Sequence, residues 1–208
     1  MRVIAWRVPP FDNGTYLIVD DRHDAICVDP SMGEREVLRA LHDEKLDLLA
    51  ILNTHGHPDH IFGDAAVKEA TRARLAIHRL DEYRLDPSRR PDALVTGLDD
   101  APAVDADDLL DEGPVTYLRD VGIEALHTPG HTEGSTCFYV PGEAAIFSGD
   151  VLFAGNVGRV DLPGGNARDM EKSLARVAEL PPATKVYPGH GPTTTIAAEL
   201  RWLRGFRF

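Results

Sequence analysis

"NTHGHPDHIFGD", residues 53–64, places His55, His57, Asp59 and His60 within six positions and sets Gly56 and Pro58 among them. Imidazole and carboxylate donors suit zinc, iron or manganese. In an extended turn, residues two apart project to the same side, so His55 and His57 can share one ion. Asp59 and His60 follow Pro58, a residue favoured in the first turn of a helix, and point elsewhere, which suits them to a second ion. A solvated turn has no use for such a cluster, and the segment is read as metal-binding.

One turn cannot complete a coordination sphere, so further donors are expected at other strand ends. His131 follows GIEALH in TPGHT, Asp150 follows EAAIF in SGD, and His190 follows KVY in PGHG. Each lies beside a glycine, where a tight turn can bring a side chain back over a sheet edge. Together they complete two spheres: His55, His57 and His131 on one metal, Asp59, His60 and His190 on the other, with Asp150 bridging. The remaining histidines His23, His42, His78 and His127 stand alone and are read as surface or satisfied core residues.

Around these motifs the chain alternates short β-like runs with turns. RVIAWRV, TYLIVDD after the turn signal DNG, AICVDP and LDLLAILNT are strand candidates, with an apolar helical face of Val37, Leu38 and Leu41 over residues 34–43. Residues 63–74 have helical composition and LAIH reads as another buried strand. Residues 86–113, rich in proline and aspartate, read as a surface excursion. Beyond them VTYLRD, GIEALHT, STCFYV and EAAIFSG are strands. They are followed by a helix over residues 167–179 with Met170, Leu174 and Val177 on one face, the strand KVYP, and a last helix with Ile196, Leu200 and Leu203 in register. Two strand-rich halves, each joined to helices, imply an α+β fold of four layers, an αββα sandwich, with residues 1–208 as one domain.

The formal net charge of −12 over 208 residues argues against a nucleic-acid or anionic-membrane partner. No apolar run approaches the ~18 residues of a spanning helix and the N-terminus lacks a signal-peptide pattern, so a cytoplasmic location is expected. Cys27 and Cys137 sit inside apolar runs and are read as small buried hydrophobes rather than nucleophiles. The ending RWLRGFRF carries Trp202, Phe206 and Phe208; it reads as a helix covering a sheet and leaves a homodimer open.

In order, THGHPDH, TPGHT, SGD and PGHG resemble the metal-binding motifs of the metallo-β-lactamase superfamily, over nearly the whole chain. That resemblance implies the αββα sandwich with two divalent metals, zinc first and iron or manganese next, at one edge between the sheets. His57 stands where the flavodiiron branch would have glutamate, which favours hydrolase chemistry. Two metals lower the pKa of a shared water from ~16 toward ~7, and the hydroxide so formed can attack an ester, thioester, lactone or amide carbonyl.

SGDVLFAGNVGRVDLPGGN, residues 148–166, and YPGHGPTTTI, residues 187–196, resemble the short type II glyoxalases, the hydroxyacylglutathione hydrolase-like branch. The implied substrate is a small-molecule thioester such as S-lactoylglutathione. The chain ends about where long glyoxalases begin a helical domain, so substrate recognition is expected to be reduced or built otherwise. Arg159 is the cation in this loop, a candidate for a substrate carboxylate or for an ion pair with Asp161; Asn156 and its neighbouring glycines are candidate substrate contacts. GRVD also resembles the loop of persulfide dioxygenases, which use one iron and oxygen. That is the alternative function, and PGHGP around His190 favours the hydrolase.

Overall fold

The structure, a computed structural model, describes residues 1–91 and 100–208. Its first sheet contains β1 (Arg2–Val8), β2 (Asn13–Val19), β3 (Asp24–Val28), β4 (Asp47–Leu52), β5 (Arg74–His78) and β6 (Asp108–Leu110), side by side in that order. β1 to β3 pair antiparallel and β3 to β6 parallel. On its outer side lie α1 (Glu34–Glu44), α2 (Pro58–Ile61) and α3 (Asp64–Thr71).

The second sheet contains β7 (Gly113–Val115), β8 (Ile123–His127), β9 (Thr136–Val140), β10 (Ala145–Gly149), β11 (Lys185–Pro188) and β12 (Thr194–Thr195). α4 (Ala167–Val177) and α5 (Ile196–Leu203) cover it. Asn166 caps α4 by accepting from the Asp169 N–H, and Thr195 caps α5 by accepting from the Ala198 N–H, which satisfies donors that a helix start leaves free.

The period-two alternation of strand residues sorts the side chains into three cores. Tyr16 and Ile18 of β2 and Ala50 and Leu52 of β4 face Phe138, Val140 and Phe147 between the sheets. Leu17, Val19 and Ile51, one position out of step, pack beneath Val37 and Leu41 of α1. Ile146 and Val186 of the second sheet meet Met170, Leu174 and Val177 of α4 and Ile196 and Leu203 of α5. Each such side chain contributes about 1.5–3 kcal/mol through burial. The result is the expected four-layer αββα sandwich.

Three local expectations are corrected. Residues 86–113 are not wholly a surface excursion: residues 92–99 lie outside the described residues, but Arg90 and Ala101 are buried and Asp108–Leu110 forms the edge strand of the first sheet. Within VTYLRD only Val115 is in a strand, because β7 is the short stretch Gly113–Val115. The DNG turn signal places Asn13 and Gly14 inside β2, where Asn13 is fully buried. Among the described residues, no helix is long and apolar enough to cross a membrane.

The parallel relationships within each sheet decide where the chemistry lies. β3 and β4 run together, as do β8, β10 and β11 through their pairing with β9 and with one another, so their C-terminal ends gather at one edge.

Candidate metal centre

The turn after β4 carries His55 and His57, and His57 itself is the extended residue preceding α2. Pro58 opens that helix, where its missing N–H costs nothing, and so turns Asp59 and His60 away from His55 and His57. His131 follows β8, Asp150 follows β10 and His190 follows β11.

These side chains converge as two triads. His55 Nε2, His57 Nδ1 and His131 Nε2 lie 3.1, 2.8 and 3.2 Å from one another. His60 Nε2 and His190 Nε2 are 3.2 Å apart, and Asp59 Oδ2 lies 3.4 and 3.3 Å from them. Donors held about 2.0–2.1 Å from a tetrahedral zinc stand about 3.3–3.4 Å from one another, close to the 3.2–3.4 Å of the second triad and somewhat wider than the 2.8–3.2 Å of the first. Asp150 spans the gap. Its Oδ2 is 3.3 Å from His131 Nε2 and 3.5 Å from His190 Nε2, while Oδ1 is 3.4 Å from His60 Nε2.

In three of the five rings the far side fixes which nitrogen faces the centre. Nδ1 of His131 meets the Arg159 carbonyl at 2.7 Å, Nδ1 of His190 the Phe11 carbonyl at 2.8 Å, and Nδ1 of His60 the Asp29 carboxylate at 2.9 Å. A carbonyl or an ionised carboxylate accepts only, so Nδ1–H donates and Nε2 faces inward, the nitrogen that would bind a metal once it has given up any proton it carries.

The electrostatics agree. Burial and the neighbouring histidines push His55 well below its ordinary value, and burial with His57 brings His131 down to about 4, which keeps both neutral. Burial opposes charge on His60 and His190, but Asp59 and Asp150 overcome it, raising His60 well above its usual value and His190 to about 10. Burial alone would raise the Asp150 carboxyl, yet His60, His190 and His131 hold it well below the usual carboxylate range. At the second triad the field favours positive charge, which fits a divalent cation there, while the neutral imidazoles of the first triad keep lone pairs free for another; the buried Asp150 Oδ1 between them has no hydrogen-bond partner among the described residues.

Two supporting residues lay outside the sequence reading. Asp29, at the end of β3, accepts from the Thr54 N–H at 2.8 Å, the Thr54 hydroxyl at 2.6 Å and His60. Asn13 donates Nδ2 to Asp59 Oδ2 at 2.9 Å. A carboxylate at a strand end beside proline, as in VDP, was the available signal for Asp29; nothing local marks Asn13, which reads as a turn residue.

Two glycines make the packing possible. A Cβ on Gly189 would collide with Asp150 Oδ1 and His60, and one on Gly158 with the Asp150 carbonyl and the His131 ring. Gly158 therefore leaves room for the donor residues, and it also lines the cavity beside them.

A cavity of about 350 Å³ opens on the triads, lined by Phe11, His57, Asp59, His131, Asp150, Phe153, Gly158, Arg159, Leu162 and His190. Arg159 is at its rim and ion-paired with Asp161 through two contacts of 2.7 and 2.8 Å. Asn156 does not line it: its carbonyl accepts from the Phe153 N–H and its side chain from the Val157 N–H. His78 and His127 stack on each other with centroids 4.1 Å apart, and with His23 and His42 they stand outside the triads. Cys27 and Cys137 are buried free thiols, which burial pushes well up, Cys137 to about 12.

The sequence model of the Metallo-beta-lactamase superfamily matches residues 9–190. The probable metallo-hydrolase YqgX of Bacillus subtilis is 34% identical, covering 93% of each chain. The hydroxyacylglutathione hydrolase of Pelagibacter ubique is 33% identical over 86% of this chain and 66% of its own length. Among solved structures, the BLEG-1 B3 metallo-beta-lactamase superposes with a TM-score of 0.90 at 34% identity, covering 96% and 97% of the two chains. TTHA1623 in a di-iron-bound form gives 0.85 at 36%, covering 95% and 97%. ETHE1 from Myxococcus xanthus gives 0.78 at 29%, covering 97% and 82%. The superfamily fold implies metal ions, and its members are typically hydrolases. The chain belongs to the metallo-beta-lactamase superfamily.

Proposed function

We propose that this protein hydrolyses a glutathione-type thioester, such as S-lactoylglutathione, at a dinuclear metal centre. His55, His57 and His131 would hold one ion, Asp59, His60 and His190 the other, and Asp150 would bridge. The observation that carries this reading is the position of Asp150 Oδ2, 3.3 Å from a nitrogen of one triad and 3.5 Å from a nitrogen of the other. Divalent ions bound there, most suitably zinc, would supply hydroxide at neutral pH and polarise an acyl carbonyl.

The chain's own residues position and select. Asp29 and the carbonyls of Arg159 and Phe11 hold three imidazole rings in one orientation. Phe11, Phe153 and Leu162 make an apolar wall that sheds water from the acyl group. The Arg159 guanidinium at the rim can exchange Asp161, an exposed and solvent-screened partner, for a substrate carboxylate. Apart from the donor residues and Arg159, the described lining side chains are Phe11, Phe153, Gly158 and Leu162, and none of them carries a transferable proton. A thiol, with an ordinary pKa of ~8.5, leaves as thiolate without such a donor, whereas an amide nitrogen needs one. That difference favours thioester over amide, and the named hydroxyacylglutathione hydrolase relative supports it.

Two other readings have support. The likeness to a B3 metallo-beta-lactamase favours a β-lactam, and the likeness to ETHE1 is consistent with a one-iron persulfide dioxygenase. Against the second, ETHE1 matches at lower identity, 29% against 33% for the hydroxyacylglutathione hydrolase relative. The test compares S-lactoylglutathione, a chromogenic cephalosporin and glutathione persulfide on one metal-loaded preparation. Chelator-sensitive thioester loss above ~10⁴ M⁻¹s⁻¹ in kcat/KM, exceeding the other two, is expected. Faster lactam opening, or oxygen uptake with persulfide and no thioester loss, overturns the reading.

A further inference from the structure

Beneath the first triad lies a carboxylate that coordinates nothing. Asp81, fully buried, follows β5 and leads into a short 3-10 helix, Glu82–Leu85. Its Oδ2 accepts from the Gly56 N–H at 2.9 Å and from the Thr132 hydroxyl at 2.7 Å, and its Oδ1 accepts from the Gly134 N–H at 2.8 Å. Gly56 is the residue between His55 and His57, and Thr132 is the residue after His131. A single side chain therefore fastens the two turns that supply all three donors of the first triad.

The clamp is braced from below. Arg84, also fully buried, brings Nε to 3.6 Å from Asp81 Oδ1 and donates to the Pro163 carbonyl at 2.8 Å and to Glu133 at 2.9 Å. A Cβ on Gly56 would strike the Arg84 side chain, so the turn rests directly on it. A buried carboxylate is costly unless its oxygens are satisfied, and here the charge is accommodated by two backbone N–H groups, one hydroxyl and a guanidinium.

We infer that Asp81 is a positioning residue for the first metal: by clamping Gly56, Thr132 and Gly134 on one carboxylate it sets the separation of His57 and His131, 2.8 Å between ring nitrogens. The inference rests on the reading of the two triads as metal sites. It assigns to Asp81 a contribution to first-site affinity and ligand geometry that is separate from its contribution to folding. Outer partners of metal ligands act on affinity in the range of about ten- to a hundredfold.

The test is a cobalt(II) titration of the full chain, followed by visible absorption and by bound-metal analysis, with thermal denaturation in parallel. Wild type should take two equivalents, and Asp59→Ala should weaken one. Asp81→Asn should weaken the other about ten- to a hundredfold and alter its ligand-field bands. Thr132→Val, which removes one hydrogen bond to the carboxylate, should shift the same equivalent in the same direction; it carries the test if Asp81→Asn does not fold. Thr132→Ser, which keeps the hydroxyl, should restore wild-type binding. Leu41→Ala, in the core beneath α1, should lower the denaturation midpoint and leave both equivalents and the spectrum alone. Wild-type constants and spectra in Asp81→Asn and Thr132→Val, or in Thr132→Val alone if Asp81→Asn does not fold, overturn the inference, whereas failure of the wild type to bind cobalt overturns the triad reading and this inference with it.

Discussion

Asn13 Nδ2 lies 2.9 Å from Asp59 Oδ2, joining the start of β2 to the first turn of α2 across 46 positions of sequence. The same segment fixes His190, whose Nδ1 meets the Phe11 carbonyl, while the Gly14 N–H donates to the Gly189 carbonyl at 2.7 Å. Asn13 Nδ2 also lies 3.5 Å from His60 Nε2, so the first hairpin touches all three donors of the second triad.

Asn13→Ala removes the donor that orients Asp59 and leaves the first triad untouched. One metal equivalent should weaken about tenfold or more while the other keeps its affinity. Competition with a chromophoric chelator measures both constants, and equal weakening of the two would contradict the division of donors.

Asp150→Ala should abolish turnover, with a loss of at least about a thousandfold, and leave the sandwich folded, since its carboxylate faces the donors rather than the apolar cores. Circular dichroism and turnover on one sample check this. Full activity in a folded variant would remove Asp150 from the bridge.

Arg159→Ala should raise KM about fivefold with kcat and metal content unchanged, because only uniform binding of substrate is lost. The Arg159 carbonyl that holds His131 belongs to the backbone and survives the substitution. Asp161→Ala supplies the comparison: KM should stay level or fall, since the guanidinium is released to the substrate. Equal rises in the two variants would mean that the ion pair only fixes the loop.

Glu199 of α5 is buried and accepts from the Gly155 N–H at 2.9 Å, Trp202 Nε1 at 2.6 Å and the Thr194 hydroxyl at 2.5 Å. Glu199→Ala strands these donors and should cost about 2–3 kcal/mol, whereas Glu199→Gln, which retains one acceptor, should cost less. Denaturant unfolding of both variants orders them.

Much of this architecture is legible in the sequence because it rests on local patterns. Val37 and Leu41 announce α1, the alternation through TYLIV announces β2, and the donors stand beside the glycines and prolines that end their strands. The residues that hold the donors in place are not legible that way. Asn13, Asp29 and Asp81 are single polar residues whose partners lie 46, 31 and 25 positions away, so only the assembled sheets give them meaning. β6 and β7 escaped for a related reason. Each is three residues long, one with an aspartate at its start and one with a proline at its centre, and neighbouring strands rather than intrinsic propensity make them extended.

The most direct test of the two-metal account is the anomalous diffraction of a crystal of the zinc-loaded protein. The account predicts two peaks about 3.5–4 Å apart, one among His55, His57 and His131, the other among Asp59, His60 and His190, with Asp150 touching both. A single fully occupied ion, or a second ion away from Asp59, His60 and His190 in a fully loaded crystal, would contradict it.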